Sequence, residues 1–275
     1  MTHAEAWLDE LSRVLMYGNA TAPRGLEASE LVFEQFRVAD PMTFPIVVGG
    51  RDLKNVIGLV EGLSMIGQLS IPEELTRRVK KFADYTDDGI LWGSYGTRLH
   101  GQLGDLVSRL RADSQSRQAV LTIFDQRDLA TYKHDIPCTV SIQFLVRNLD
   151  GPGISPKLHM KVTMRSNDLW LGMPYDLTQF SILMATLAQV LGVYPGAYTH
   201  AAGSMHLYAE NRTMPRMWFD EPPRSMSFPL WGSGYGDLAE VTRRARHMLL
   251  APSGYEESYG PDLTEFETWA VKLLS

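Results

Sequence analysis

A chain of 275 residues, 44% of them hydrophobic and 21% charged, is long enough to bury a sizeable core as one large domain or two ordinary ones. Its net charge of −6 argues against a surface that coats nucleic acid, but leaves room for a small anion in a local basic pocket. One cysteine, Cys138, excludes an internal disulfide and suits a reducing, cytoplasmic setting, the host cytoplasm if the chain is viral.

Trp7, Leu8, Leu11, Val14 and Leu15 recur at helical spacing, and Thr2 with Glu5 forms the pattern of a capping box. A polar loop presents Arg24, and "LVFEQFRV" then reads as a strand. "LKNVIGLVEGLSMIG" is helical, with Glu61 set in an apolar face. Pro72 suits the first turn of a helix through "PEELTRRVKKFADY". A turn around Asp87 to Gly89 precedes an amphipathic helix over "LGDLVSRLRADSQSR", ending near Arg117. "QAVLTIFD" reads as a strand, and "TVSIQFLVR" and "KLHMKVTM" as a hairpin joined by a Gly/Pro turn.

"LTQFSILMATLAQVLG" is apolar nearly all round, the mark of a buried central helix, and is too short and too polar for a membrane span. No basic, apolar leader opens the chain, so no membrane partner is expected. A strand over "AYTHAAGSMHLY" follows, then irregular packing from Pro215 to Pro229. The pattern predicts an α+β fold in a single domain, residues 1–275, with a mixed sheet, a buried central helix and flanking helices.

Candidate chemistry gathers at element boundaries. A lone cysteine is more often a small buried hydrophobe than a nucleophile, and reactivity needs positive neighbours that favour the thiolate. The hairpin would bring Arg165 beside Cys138. Arg24, Arg117 and Arg165 with Ser166 suit phosphate oxygens. Glu61 on an apolar face must be paired, protonated or an acid/base group. The histidines lack metal-ligand spacing, so no metal is expected. "GSGYGDLAEV" at Gly232 lacks the lysine of a phosphate loop and reads as a turn. Asp176, in "RSNDLWLGMPYDLTQF", has a bland reading as a helix N-cap.

Three segments, "IPCTVSIQF", "RSNDLWLGMPYDLTQFSILMATLAQVLG" and "GSMHLY", resemble the folate-dependent thymidylate synthase family, including its pyrimidine nucleotide hydroxymethylase branch; "SYG" and "ADSQSR" match in the same order. The resemblance covers about residues 4–210, leaving roughly the last 60 residues divergent. It implies a homodimer that binds a pyrimidine nucleoside monophosphate and 5,10-methylenetetrahydrofolate. Cys138 would be the nucleophile, with Arg24, Arg165, Ser166 and Arg117 of the other subunit on the phosphate. His206 and Tyr208 would hold the sugar hydroxyl, Asp168, Gly172 and Tyr175 would line the folate site, and Glu61 would organise a proton-transferring water. Four departures stand out. Gln118 follows Arg117 where the family has a second arginine, Thr139 replaces the histidine after the cysteine, Glu61 aligns only through a gap, and the closing C-terminal tail is not recognisable.

Asp176 falls where the methylating members carry an asparagine that pairs with uracil. An amide matches the O4 acceptor and N3 donor of uracil, whereas a carboxylate only accepts, taking the amino hydrogen of cytosine and repelling O4. Asp176 therefore resembles the phage deoxycytidylate hydroxymethylases. The methylating members also pack a tryptophan beside the one-carbon intermediate, where this chain offers Phe82 and Tyr85. A smaller or differently placed ring leaves room for water, and so for a hydroxymethyl product. The expectation is C5 hydroxymethylation of a cytidine monophosphate, dCMP favoured, making a modified DNA precursor or a nucleoside natural product. Its alternatives are C5 methylation of dCMP or dUMP, a CMP enzyme, and a nucleotide-binding homologue without turnover.

Overall fold

A computed structural model describes all residues except 52, 214–217, 219–220 and 228–235. In chain order the described elements are α1 (His3–Tyr17), β1 (Asn19–Thr21), β2 (Ala28–Val38), β3 (Thr43–Val47), α2 (Val56–Gly67), α3 (Pro72–Arg78), α4 (Tyr95–Arg98) and α5 (Gln102–Ala112). They continue with β4 (Val120–Thr122), β5 (Thr139–Arg147), β6 (Lys157–Met164), β7 (Asn167–Asp168), α6 (Met173–Leu191) and β8 (Tyr194–Tyr208). β9 (Arg224–Ser227), α7 (Leu238–Leu250), α8 (Tyr255–Tyr259) and α9 (Glu265–Leu274) complete them.

Among the described residues, seven strands form one mixed sheet in the order β1-β2-β8-β6-β5-β4, with β7 also on β8. β5 and β6 are the antiparallel hairpin expected from their alternation, with the bounds read from the sequence. β6 and β7 both run parallel to β8, and the chain between them leaves the ladder at Arg165 and Ser166. Gly203 permits this, because a Cβ there would lie 2.9 Å from the Arg165 carbonyl oxygen.

One sheet face is apolar. Leu158, Met160, Val162 and Met164 of β6 are buried, while Lys161 and its cross-strand partners Thr199 and Gln143 stay partly or fully in solvent. α6 fills the core, buried almost all round as its sequence predicts. α2 packs against it through Gly58 and Gly62, where a Cβ would come within 2.8 Å of Thr178 and 3.1 Å of Ile182. α7 and α9 then pack on the far side of α2.

Several expected bounds shift for local reasons. α1 begins with the predicted Thr2–Glu5 capping box, and Pro72 is at the start of α3. That helix stops at Arg78 because Val79 turns extended, and the bonds of Arg77 and Arg78 to Glu74 hold its last turn; residues 80–85 continue as a 3₁₀ turn. α5 ends at Ala112 rather than near Arg117, since Asp113 is extended and its side chain accepts the Gln115 N–H in an Asx turn. The region from Pro215 to Pro229 is not wholly irregular, because Arg224–Ser227 pairs with β3. Residues 232–235 of the Gly232 segment lie outside the described residues, and Asp237 beyond them N-caps α7.

α4 touches α2 as closely as backbone allows. A Cβ on Gly96 would lie 2.1 Å from the Leu69 carbonyl oxygen and 2.5 Å from that of Ser64. Gly96→Ala should therefore cost about 2 kcal/mol or more, read as a lower urea midpoint at unchanged slope.

Candidate active site

A cavity of about 1300 Å³ opens between the sheet, α2, α6 and the loop before β5. Thirteen of the fourteen residues singled out in the sequence line it: Cys138, Glu61, Asp176, Arg24, Arg165, Ser166, His206, Tyr208, Phe82, Tyr85, Asp168, Gly172 and Tyr175. Arg117 does not. It sits exposed on the loop before β4, where its carbonyl accepts from Gln143 Nε2 at 3.1 Å, and the neighbouring Gln118 side chain is engaged by Arg109.

Cys138 and Arg165 meet because the hairpin register ends there. The Arg165 N–H donates to the Cys138 carbonyl at 2.7 Å, and its guanidinium donates to the carbonyls of Pro137 and Ile136. The expectation that Arg165 favours the thiolate is met in sign but not in outcome. Burial pushes the Cys138 thiol up, Arg165 draws it down, and the charges of Asp176 and Asp135 push it up again. The resting thiol is therefore mostly protonated at neutral pH.

Arg24 is held in a left-handed conformation at φ 56°, unusual for a residue with a side chain, and its guanidinium donates to the Tyr208 hydroxyl at 3.4 Å. Ser166 Oγ lies 3.5 Å from His206 Nδ1, and the His206 and Tyr208 rings meet edge to face at 5.2 Å. Asp168 Oδ1 accepts the N–H groups of Trp170 and Leu171, shaping the turn into α6. Phe82 and Tyr85 meet edge to face at 6.2 Å in the opposite wall.

Two carboxyls depart strongly from ordinary behaviour. Burial, then the charges of Asp176 and Asp135, raises Glu61 to about 8, which keeps it protonated at neutral pH. Burial raises Asp176 to about 7 against hydrogen bonds that favour its ionised form, and the charge of Asp168 adds to the rise. The N-cap reading of Asp176 is overturned. α6 begins at Met173 with Gly172 as its cap and Pro174 in the first turn, which places Asp176 inside the helix. Its Oδ2 instead accepts from Asn167 Nδ2 at 2.6 Å, and its Oδ1 from Gln179 Nε2 at 2.8 Å.

Asn167, Gln179 and Tyr95 also belong to the site and were not picked out from the sequence. Gln179 follows Asp176 by three residues on one helix face, a spacing that points to it. Tyr95 lies in the matched "SYG"; its hydroxyl accepts from Thr139 N and Oγ1 at 3.2 and 3.0 Å, which is how Thr139 is used where the family has histidine. Among the described residues, no group of three or more His, Cys, Asp or Glu has the arrangement to hold a metal, and no helix is long and apolar enough to cross a membrane.

The family model for thymidylate synthase matches residues 78–227, more than half of the chain. The chain belongs to the thymidylate synthase family. It is 28% identical over 226 residues, 75% of its length and 57% of the relative's, to a deoxyuridylate hydroxymethyltransferase of Bacillus phage SP01. It is 32% identical over 168 residues, 58% of its length and 46% of the relative's, to a deoxyuridylate hydroxymethyltransferase of Pseudomonas phage M6. To a thymidylate synthase of Rhizobium rhizogenes it is 30% identical over 135 residues, 48% of its length and 44% of the relative's. The chain thus spans about half the length of these curated relatives.

Because Arg165 draws the thiol toward ionisation, Arg165→Met should push Cys138 up further. Iodoacetamide labelling of Cys138 near pH 8, followed by intact mass, should slow several-fold in the variant, and labelling of both proteins should quicken as pH rises.

Proposed function

We propose that this protein transfers a hydroxymethyl group to C5 of a cytidine monophosphate, dCMP favoured, with methylenetetrahydrofolate as one-carbon donor. The observation that carries the reading is Asp176, a carboxylate in the cavity wall where an amide would read uracil. Where uracil presents the O4 acceptor, cytosine presents an amino hydrogen that a carboxyl oxygen accepts, and a proton on the other oxygen, which burial of Asp176 favours, answers cytosine N3.

The cavity suits both ligands in chemistry and size. Arg24, Arg165 and Ser166 gather at one part of the wall, and His206 and Tyr208 stand beside them for the sugar. Aromatic rings and the Asp168 turn line the part left for folate, which supplies one carbon at the oxidation level of formaldehyde. Cys138 adds through sulfur to C6 of the pyrimidine, the displaced electron pair makes C5 nucleophilic, C5 bonds to the methylene carbon of the folate, and tetrahydrofolate leaves as its nitrogen takes the C–N bonding pair. Nucleotide binding brings the reacting carbon to a thiol that rests protonated, and a neighbouring base must take the thiol proton as the bond forms. Glu61, poised near neutrality, suits relay of the C5 proton through water. Phe82 and Tyr85 leave access for water, whose oxygen becomes the new hydroxyl as Cys138 departs.

A second reading, hydroxymethylation of deoxyuridylate, is favoured by the two phage relatives, both deoxyuridylate hydroxymethyltransferases. Incubation with dCMP, CMP or dUMP and methylenetetrahydrofolate, read by product mass, separates them. Gain of CH2O on a cytosine nucleotide is expected; gain of CH2, or turnover of dUMP alone, would sink the proposal. Asp176→Asn should move preference toward dUMP by about tenfold or more.

We also propose a homodimer, formed on the sheet face that Lys161, Thr199 and Gln143 leave open, with Arg117 reaching the partner's phosphate. Such a face on a mixed sheet needs cover, and Arg117 is exposed outside its own cavity. Mixing inactive Arg117→Ala with inactive Cys138→Ala should restore activity through hybrid dimers; failure of the mixture to recover would place Arg117 outside the shared site.

A further inference from the structure

A thiol must lose its proton as sulfur bonds to carbon, and the segment just before Cys138 supplies a carboxylate that could take it. Asp135 stands three residues upstream and lines the same cavity. Gly93 donates its N–H to Asp135 Oδ2 at 3.0 Å, and the Tyr95 hydroxyl accepts from Thr139 N at 3.2 Å, so residues 93–95 run along 135–139. The approach requires a glycine, because a Cβ on Gly93 would lie 2.9 Å from both the Asp135 carbonyl oxygen and Pro137 N. Arg165 fixes the residues between, donating to the carbonyls of Ile136 and Pro137 at 2.8 and 3.0 Å.

That leaves one oxygen of Asp135 for chemistry. Oδ2 is engaged by Gly93, whereas Oδ1 has no hydrogen-bond partner among the described residues and is not sealed from solvent. The charge of Asp135 is felt at both Cys138 and Glu61.

The other acids of the cavity are differently committed. Both oxygens of Asp176 accept from amides, Asp168 Oδ1 is taken by the turn into α6, and Glu61 carries its proton at neutral pH. Burial raises the Tyr95 hydroxyl well above its ordinary value, so it keeps its proton while accepting from Thr139. Glu30 accepts from Ser204 Oγ at 2.7 Å, and Glu27 and Glu210 flank the Arg24–Tyr208 pair in the chain.

We infer that Asp135 is the general base of the first step, taking up the Cys138 proton on Oδ1 through one water. The inference rests on Cys138 adding to C6, as proposed above. The thiol proton passes to the water and a water proton to Oδ1, while the sulfur pair forms the S–C6 bond and the C5=C6 π pair moves to C5. When the product leaves, the C6–S pair returns to sulfur and Asp135 gives the proton back by the same route.

The groups facing Asp135 are Arg98 of α4, itself paired with Asp128, Arg165 after β6, and Asp87 of the turn before α4, which His134 holds; Cys138 and Glu61 face it in the cavity. Burial lifts Asp135 above the ordinary carboxylate range against the Gly93 N–H, Arg98 and Arg165, and the charge of Asp87 adds to the rise. A carboxylate raised toward neutrality is a stronger base than an ordinary one.

Nucleotides fluorinated at C5 isolate this step. With methylenetetrahydrofolate they stop at the covalent adduct, because C5 has no proton to lose and Glu61 none to relay. Intact mass against time then reports addition of sulfur. Asp135→Asn keeps an oxygen for the Gly93 N–H and removes the base. Its trapping of 5-fluoro-dCMP near neutral pH should slow by about a hundredfold. Iodoacetamide should label its Cys138 at least as fast as in the unmodified protein, because the charge of Asp135 disfavours the thiolate. Trapping by the variant should also climb about tenfold per pH unit above neutrality, as the thiol ionises unaided. Asp135→Glu, which keeps a carboxylate, should trap within about tenfold of the unmodified rate.

A residue that only shaped the loop would slow trapping and labelling together; that result, or unchanged trapping, would overturn the inference. Should Asp135→Asn not fold, the unmodified protein decides. Its trapping should hold steady through neutral pH while labelling still climbs, and a parallel climb would refute the base. 5-Fluoro-dUMP is run beside 5-fluoro-dCMP. If the unmodified protein traps neither, or Cys138→Ala traps either, addition by Cys138 itself fails. If Cys138 is needed and Asp135→Asn traps at the full rate, only the role of Asp135 fails.

Discussion

Burying a carboxylate without a cation is costly, and much of this site is arranged around meeting that cost at Asp176. The helix that carries it is buried almost all round, so the carboxylate meets the solvent only at the cavity wall. Asn167 comes from a two-residue strand and Gln179 from the helix itself, so the packing of α6 on the sheet determines whether both amides reach. The close approach of α2 through Gly58 and Gly62 brings Glu61 near enough to feel the same charge. Two acids near neutrality thus share one cavity because two helices pack without side chains between them.

The sulfur side of the cavity is a similar compromise. Arg165 approaches Cys138 through the backbone hydrogen bond that ends the hairpin, and its guanidinium is then spent partly on the carbonyls of Pro137 and Ile136. Its field favours the thiolate, but burial of the sulfur disfavours it more. The same break in the β6–β7 edge exposes Ser166 and aligns it with His206, so one irregularity in the sheet serves both the sulfur and the oxygens near it.

Much of this was legible in the order of residues. The hairpin bounds followed from alternation of apolar side chains, the capping box from Thr2 and Glu5, and the buried helix from a run with no polar face. Thirteen candidate residues were brought to one cavity, because they lie at the ends of elements whose packing order fits the family. The errors fell where short-range competition decides. Asp113 stopped α5 with its own side chain, Val79 turned extended and ended α3, and Gly172 with Pro174 started α6 a turn early.

The hairpin pattern by itself brought the cysteine strand beside Arg165, and the family resemblance of the quoted segments added Ser166 and Asp176 to the same site, since local pattern and chain order carry that information. Which form those groups take was decided only by the tertiary structure. Burial, the two amides that Asp176 has for partners among the described residues and the direction of the Asn167 amide depend on residues far apart in the chain, and a pKa responds to everything within a few ångströms. Sequence named the carboxylate; packing determined how readily it carries a proton.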